Sequence, residues 1–279
     1  MKYGFVYPGG EARDAAKTAQ VAEAAGWDGF FVWEPVWGVD AWVSLAAAAM
    51  LTERIRLGTM LTPVSRCRPW KLAGETATLD RLSNGRAILS VGLGAVESGF
   101  SQFGEETDRK IRAELVDEGL EIITGLWKGQ PFSFSGKHYQ IQELDHLPPP
   151  PPVQQPRIPI WVVGLWPKPK SMRRVARYDG LLPAIKNPDG SHAEITPQAV
   201  REMKRYLDER RQGMAPIDIV IEGGETTADT LPAAMERAAA LEAAGATWWL
   251  ESMWEVLDSM WDVKTQEQIL KRVEQGPPK

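Results

Sequence analysis

Residues 54–94 constrain the fold more than any other part of the chain. A short apolar stretch ends at Thr62-Pro63 and a polar loop follows. Pro69 then opens a helical run that Asn84-Gly85 closes, and a second apolar stretch ends in Gly92-Leu93-Gly94. Strand, helix and strand at this spacing make a βαβ unit, which requires a parallel sheet covered by helices. In parallel α/β folds the chemistry gathers on the loops that follow the strands, here residues 62–68 and 92–99.

The same alternation runs almost from end to end. Further strands are predicted over 3–7, 30–33, 158–163, 180–185, 217–221 and 247–250, which with the two above makes eight. Helices are predicted over 14–25 and 41–51, between the later strands, and last near 266–273. An internal echo supports a repeat: Glu23-Ala-Ala-Gly26 precedes Phe30-Phe31-Val32-Trp33-Glu34, and Glu242-Ala-Ala-Gly245 precedes Trp248-Trp249-Leu250-Glu251. Strands this apolar must be covered on both faces, so the fold class is α/β, a (β/α)8 TIM barrel forming one domain over 1–279. An open doubly wound sheet fits less well, because Tyr7-Pro8-Gly9-Gly10 is a turn and not a G-x-G-x-x-G loop. A helix over 112–127 and a hairpin within 131–141 fall outside the repeat. An insertion is therefore expected after strand 4, at about 95–152, ending in an extended proline connector over 148–152.

Charge and composition exclude several classes of function. Lys and Arg number 32 against 37 Asp and Glu, and the two signs are interspersed, so neither a nucleic-acid nor an anionic-membrane surface is expected. Cys67 is the single cysteine, and His138, His146 and His192 lack ligand spacing, so no disulfide and no metal site are predicted. The apolar run 41–51 is shorter than the roughly 20 residues that span a bilayer. Met1-Lys2 leads straight into a strand without a secretory signature, and a cytoplasmic location is expected. A small-molecule ligand remains.

On a barrel the strand ends converge on one mouth. They would bring glycines there (Gly92, Gly94, Gly164, Gly223, Gly224), flat apolar walls (Trp37, Trp166, Trp254) and carboxylates. Glu251, between Trp249 and Trp254, and Glu34 are the candidate acid–base residues, since an apolar pocket raises a carboxyl pKa towards a useful range. Trp37, Arg66, Arg68 and Trp254 are candidate substrate contacts. Cys67, between two arginines, would have a lowered pKa. Lys168, Lys170 and Arg173 surround a helix start after the fifth strand, which suits an anion. A strand-end lysine, Lys186, leaves open a Schiff-base lyase or aldolase.

Several motifs resemble the bacterial luciferase-like family of flavin-dependent oxidoreductases. They are Thr52-Glu-Arg-Ile-Arg-Leu-Gly-Thr59, Arg66-Cys-Arg-Pro69, Thr78-Leu-Asp-Arg-Leu-Ser-Asn-Gly-Arg86, Gly92-Leu-Gly94, Phe103-Gly104, Ile158-Pro-Ile-Trp161 and Arg177-Tyr-Asp-Gly180. The resemblance implies FMN or the deazaflavin coenzyme F420 in the mouth. It places Thr59, Met60, Gly92, Gly94, Gly164, Leu165 and Trp166 at the cofactor, and Lys168, Lys170 and Arg173 at its phosphate. It also implies a non-proline cis peptide at Thr59-Met60 and, commonly, a homodimer through early barrel helices. The implied activity is monooxygenation with FMN, or hydride transfer with deazaflavin, on a small organic substrate. Two positions depart from the family. The catalytic histidine after the second strand is replaced by Trp33-Glu-Pro-Val-Trp37, and the phosphate-binding arginine at the fourth strand's exit is Leu93. These departures favour a carboxylate base, and they also allow a flavin-binding protein without turnover.

Overall fold

A computed structural model describes residues 1–145, 149–227 and 229–279, so His146 and the first residue of the proline run, Pro148, lie outside the described residues. The chain order is β1 (Lys2–Tyr7), α1 (Ala12–Ala24), β2 (Gly29–Val32), α2 (Ala41–Leu51), β3 (Arg56–Thr59), β4 (Thr62–Pro63), α3 (Pro69–Leu82), β5 (Ala87–Gly92) and α4 (Arg109–Lys128). It continues with β6 (Phe132–Ser135), β7 (Gln140–Leu144), β8 (Ile160–Trp166), α5 (Pro169–Val175), β9 (Gly180–Ile185), α6 (Pro197–Arg210), β10 (Asp218–Glu222), α7 (Leu231–Ala244), β11 (Trp248–Ser252) and α8 (Val263–Glu274). Strands β3-β2-β1-β11-β10-β9-β8-β5 pair in parallel, and a β3–β5 pairing closes the ring, so eight strands make a barrel. The short β4 extends this wall beside β5.

Local chemistry sets the boundaries. Asp40 and Asp108 cap α2 and α4 by accepting from backbone N–H groups at 2.8 Å, and Pro69 and Pro197 take the first helical turn. The echoed glycines end their helices in the left-handed region, Gly26 at φ 87° and Gly245 at φ 113°. The motif over 78–86 is scaffold. Buried Arg86 donates to the carbonyls of Ala49, Thr52, Ile55 and Ser83, tying α2 and α3 together at the end of the barrel away from the mouth.

One expectation about the insertion is corrected. Helix α4 packs beside α3, and Arg174 of α5 grips Asp117 of α4 at 2.5 and 2.7 Å, so α4 is the fourth helix of the surrounding ring. The true insertion is the hairpin β6–β7 with the segment that leads to β8. Glu118 of α4 anchors it by accepting the N–H groups of Lys137, His138 and Tyr139.

Two cores result. The larger lies between strands and helices. The smaller fills the lumen, where Phe31, Trp161 and Trp248 meet at ring distances of 5.1–6.2 Å. Glycines on the same face make room: a Cβ at Gly180 would sit 2.1 Å from Trp161, and one at Gly29 would sit 2.7 Å from Phe31. Large rings against bare backbone seal the barrel floor, and only the upper layer is left for a ligand.

Candidate active site

Alternation along each strand decides which predicted residues reach the mouth. On β11, Trp248 and Leu250 join the lumen cluster while Trp249 joins the outer one, which turns Glu251 outwards. There its carboxylate forms a bidentate pair with Arg272 of α8 at 2.6 and 2.7 Å and accepts the Thr226 N–H, fully buried. Burial lifts this carboxyl and the guanidinium pulls it back. Glu251 is thus a strand-to-helix tie and does not face the reacting centre.

Glu34 is placed differently. It follows β2 and accepts from the Thr62 hydroxyl, which is itself 2.8 Å from the Thr59 hydroxyl; both threonines are buried. The nearest cation, Arg66, stands 3.7 Å away and donates instead to the Pro35 carbonyl. Burial outweighs both helpers and pushes the Glu34 carboxyl up to about 7. Near neutral pH it can hold or release a proton.

The glycine-lined mouth is also corrected. A Cβ at Gly164 would meet Leu181 and Val175, and one at Gly223 would meet Trp249, so those two glycines admit helix-layer side chains. Gly94 (φ 75°) makes room for Phe100 and Pro63, and Gly92 makes room for Leu61 and Val163. Only Gly224 of the five borders open space. Of the tryptophans, Trp166 turns out to pack edge-on against Tyr206 of α6, and Trp37 stands 82% exposed. Trp254 faces the mouth, edge-to-face with Trp33 at 6.4 Å. Met60 lies in the lumen cluster and Leu165 is half-buried on the lumen-facing register of β8. The non-proline cis bond is Met60–Leu61, one residue beyond the expected place, because the Met60 N–H still bonds to the Val32 carbonyl and keeps Thr59-Met60 on the strand ladder.

The basic pair at 66 and 68 divides. Arg66 is half-buried over Phe100, whereas Arg68 is exposed over Trp70, so the two do not form one anion site. Between them Cys67 packs inward, and burial pushes its thiol up to about 12, the reverse of the expected activation. Lys186 lies exposed, its amine bonded to the Gly190 carbonyl at 3.0 Å, without the desolvation a Schiff-base lysine needs. Lys168, Lys170 and Arg173 are exposed at the start of α5 with no ion pair to any described residue.

Reading the sequence assigned no role to three contributors, Thr62, Arg112 and Glu222. Thr62 orients Glu34. Arg112 of α4 reaches the Leu93 and Gly94 carbonyls at 2.6 and 3.1 Å and fixes the β5 exit, with Phe100 beneath it. Glu222, at the end of β10, accepts from Ser252 and from the Trp254 indole. Thr62 stands in the quoted strand end; the others carry no local signal, since their partners lie 18–32 residues away. Among the described residues no cluster of His, Cys, Asp or Glu could hold a metal ion, and no helix is long and apolar enough to cross a membrane.

This barrel recurs in solved structures. The F420-dependent secondary alcohol dehydrogenase, in complex with an F420-acetone adduct, superposes with a TM-score of 0.73 at 17% identity, over 98% of this chain and 97% of that one. The FMN complex of the oxygenating constituent of 3,6-diketocamphane monooxygenase from Pseudomonas putida gives 0.72 at 19% identity, over 99% and 97%. The monooxygenase RslO1 from Streptomyces bottropensis gives 0.68 at 22% identity, over 88% and 78%. The model of the luciferase-like monooxygenase family matches residues 3–275, essentially the whole barrel with its eight strands, and the chain belongs to that family.

Proposed function

We propose that the protein is a flavin-dependent oxidoreductase that takes FMN or coenzyme F420 in the barrel mouth and acts on a small organic substrate by monooxygenation or hydride transfer. The observation that carries this reading is the placing, at one barrel end, of a carboxylate pushed up to about 7 and three cations without an ion-pair partner among the described residues. The residues fit such a group. Lys168, Lys170 and Arg173 suit an anionic tail, and the buried Ser90 hydroxyl, on the lumen-facing register of β5 and without a partner among the described residues, suits a polar ring edge. The flavin, when bound, supplies the redox chemistry. Met60 and Leu165 would wall the ring, Arg112 holds the β5 exit, and Glu34, whose Oε1 is not bonded to Thr62, would give or take the proton. Of the structural relatives named above, one is F420-dependent and one is an FMN complex, which supports both cofactors equally. Parallel absorbance titrations of the purified protein with FMN and F420 test the reading. Saturable perturbation of one cofactor's visible band is expected, and no perturbation by either, oxidised or reduced, overturns it.

The protein is further proposed to be a homodimer through α2. Val43, Met50 and Leu51 stand 63%, 69% and 44% exposed on that helix, and the inserted hairpin, which could have covered them, packs on α4 and Trp70 instead. Sedimentation at micromolar concentration is expected to give the mass of two chains; a one-chain mass removes the dimer.

A further inference from the structure

The Glu34 carboxylate receives one hydrogen bond from the described residues. The Thr62 hydroxyl donates to Oε2, whereas Oε1 lies 3.7 Å from Arg66, beyond hydrogen-bond reach. Behind Thr62 stands Thr59, with 2.8 Å between the two hydroxyl oxygens. Thr59 pairs in register with Val32 of the core between strands and helices, so its side chain lies on the helix-facing side of β3. It is fully buried, and its hydroxyl bonds to no described residue except Thr62. Two buried hydroxyls thus form a chain with a blind end at Thr59 and a carboxyl oxygen at the other.

The blind end gives the chain one direction. Each threonine hydroxyl has a single proton to donate and lone pairs with which to accept. When Thr59 donates to Thr62 and Thr62 to Glu34, both protons reach an acceptor. In the reverse order Glu34 would donate to Thr62 and Thr62 to Thr59, which would leave the buried Thr59 proton without an acceptor among the described residues, an expensive arrangement. The charged groups around Glu34 leave this direction unopposed. Asp40 accepts the Val43 N–H at the start of α2, Glu75 of α3 pairs with Lys71, burial keeps the Cys67 thiol neutral, and Arg66 donates to the Pro35 carbonyl. We propose that Thr62 and Thr59 are positioning residues for the acid–base chemistry: their one-way hydroxyl chain keeps Oε2 an acceptor in both charge states of Glu34 and confines the transferable proton to Oε1. This deepens the reading of Glu34 as the acid–base group and rests on it. The position of the proton can be read without flavin or substrate.

Infrared difference spectra of the full-length protein, recorded without flavin across the neutral pH range, test the assignment. The carbonyl band of protonated Glu34 is the one missing from Glu34→Gln, and a hydrogen bond accepted by that C=O lowers its frequency. The wild-type band is expected in the hydrogen-bonded range. Thr62→Val keeps the side chain's shape and removes the hydroxyl, so it should move the band up to the frequency of a free C=O. It should also raise the Glu34 midpoint by about one pH unit or more, the margin of one hydrogen bond to a charged group. Thr62→Ser should restore both. Were Thr62 the acceptor of the Glu34 proton instead, its loss would disfavour the neutral acid and the midpoint would fall. Should Thr62→Val not fold, Thr59→Val, which strips Thr62 of its own donor, should move both readouts in the same direction by less. A midpoint that falls or stays in place, or a carbonyl band already free in the wild type, overturns the proposal. Because no flavin is present, failure here leaves the cofactor titrations to be judged separately.

Discussion

Glu34→Gln is expected to lower the chemical rate by about a hundredfold or more, with cofactor affinity nearly unchanged, because it keeps the shape of the side chain and removes the proton. The wild-type rate should show a limb centred near pH 7, where burial has placed this carboxyl, and the variant should lose it. Stability supplies a second readout. Between about 4.5 and 7 the folded protein holds a proton at Glu34 that the unfolded chain has released. Stability must then fall as pH rises through that window, by at most about 3 kcal/mol from this group, and Glu34→Gln should flatten the fall. Glu251→Gln is the contrast. It breaks a buried bidentate pair with Arg272, so it should cost about 3–5 kcal/mol of stability and leave the limb near pH 7 in place. A pH–rate profile unchanged by Glu34→Gln removes Glu34 from the chemistry.

Neutralising Lys168 and Lys170 together should weaken cofactor binding more than tenfold and reduce its salt dependence. Each charge-assisted contact to a phosphate contributes about 1.5–3 kcal/mol, and neither lysine has a described protein partner that would compete for it. The spectral change at saturation should persist, since the ring is held elsewhere. Unchanged affinity and an unchanged salt slope in a fluorescence titration would remove the anchor from α5.

The fold was largely legible because each strand–helix unit announces itself locally. Gly26 and Gly245 end helices, Pro69 and Pro197 begin them, and strands that are apolar on both faces call for helices on both sides of a parallel sheet. The site was legible only in part. The echo made Glu34 and Glu251 look equivalent; what separates them is Arg272, which pairs with Glu251 from 21 residues along the chain, while Glu34 meets the Thr62 hydroxyl and a more distant Arg66. Glycine content misled for a related reason. Gly164 and Gly223 yield space to Leu181 and Trp249, and a sequence does not say which way a bare Cα faces. Helix α4 was assigned to the insertion because the long loop before it hides its place in the ring.

The aromatic floor bears on how the protein is loaded. Phe31, Trp161 and Trp248, nested against Gly29 and Gly180, complete the interior with the chain's own atoms, so no guest is required as a keystone. Occupancy then adds to stability only by mass action, about 2.7 kcal/mol at a hundredfold excess over Kd. Such a barrel can trade one cofactor molecule for another between turnovers without unfolding, and so can treat its redox partner as a visitor that arrives and departs.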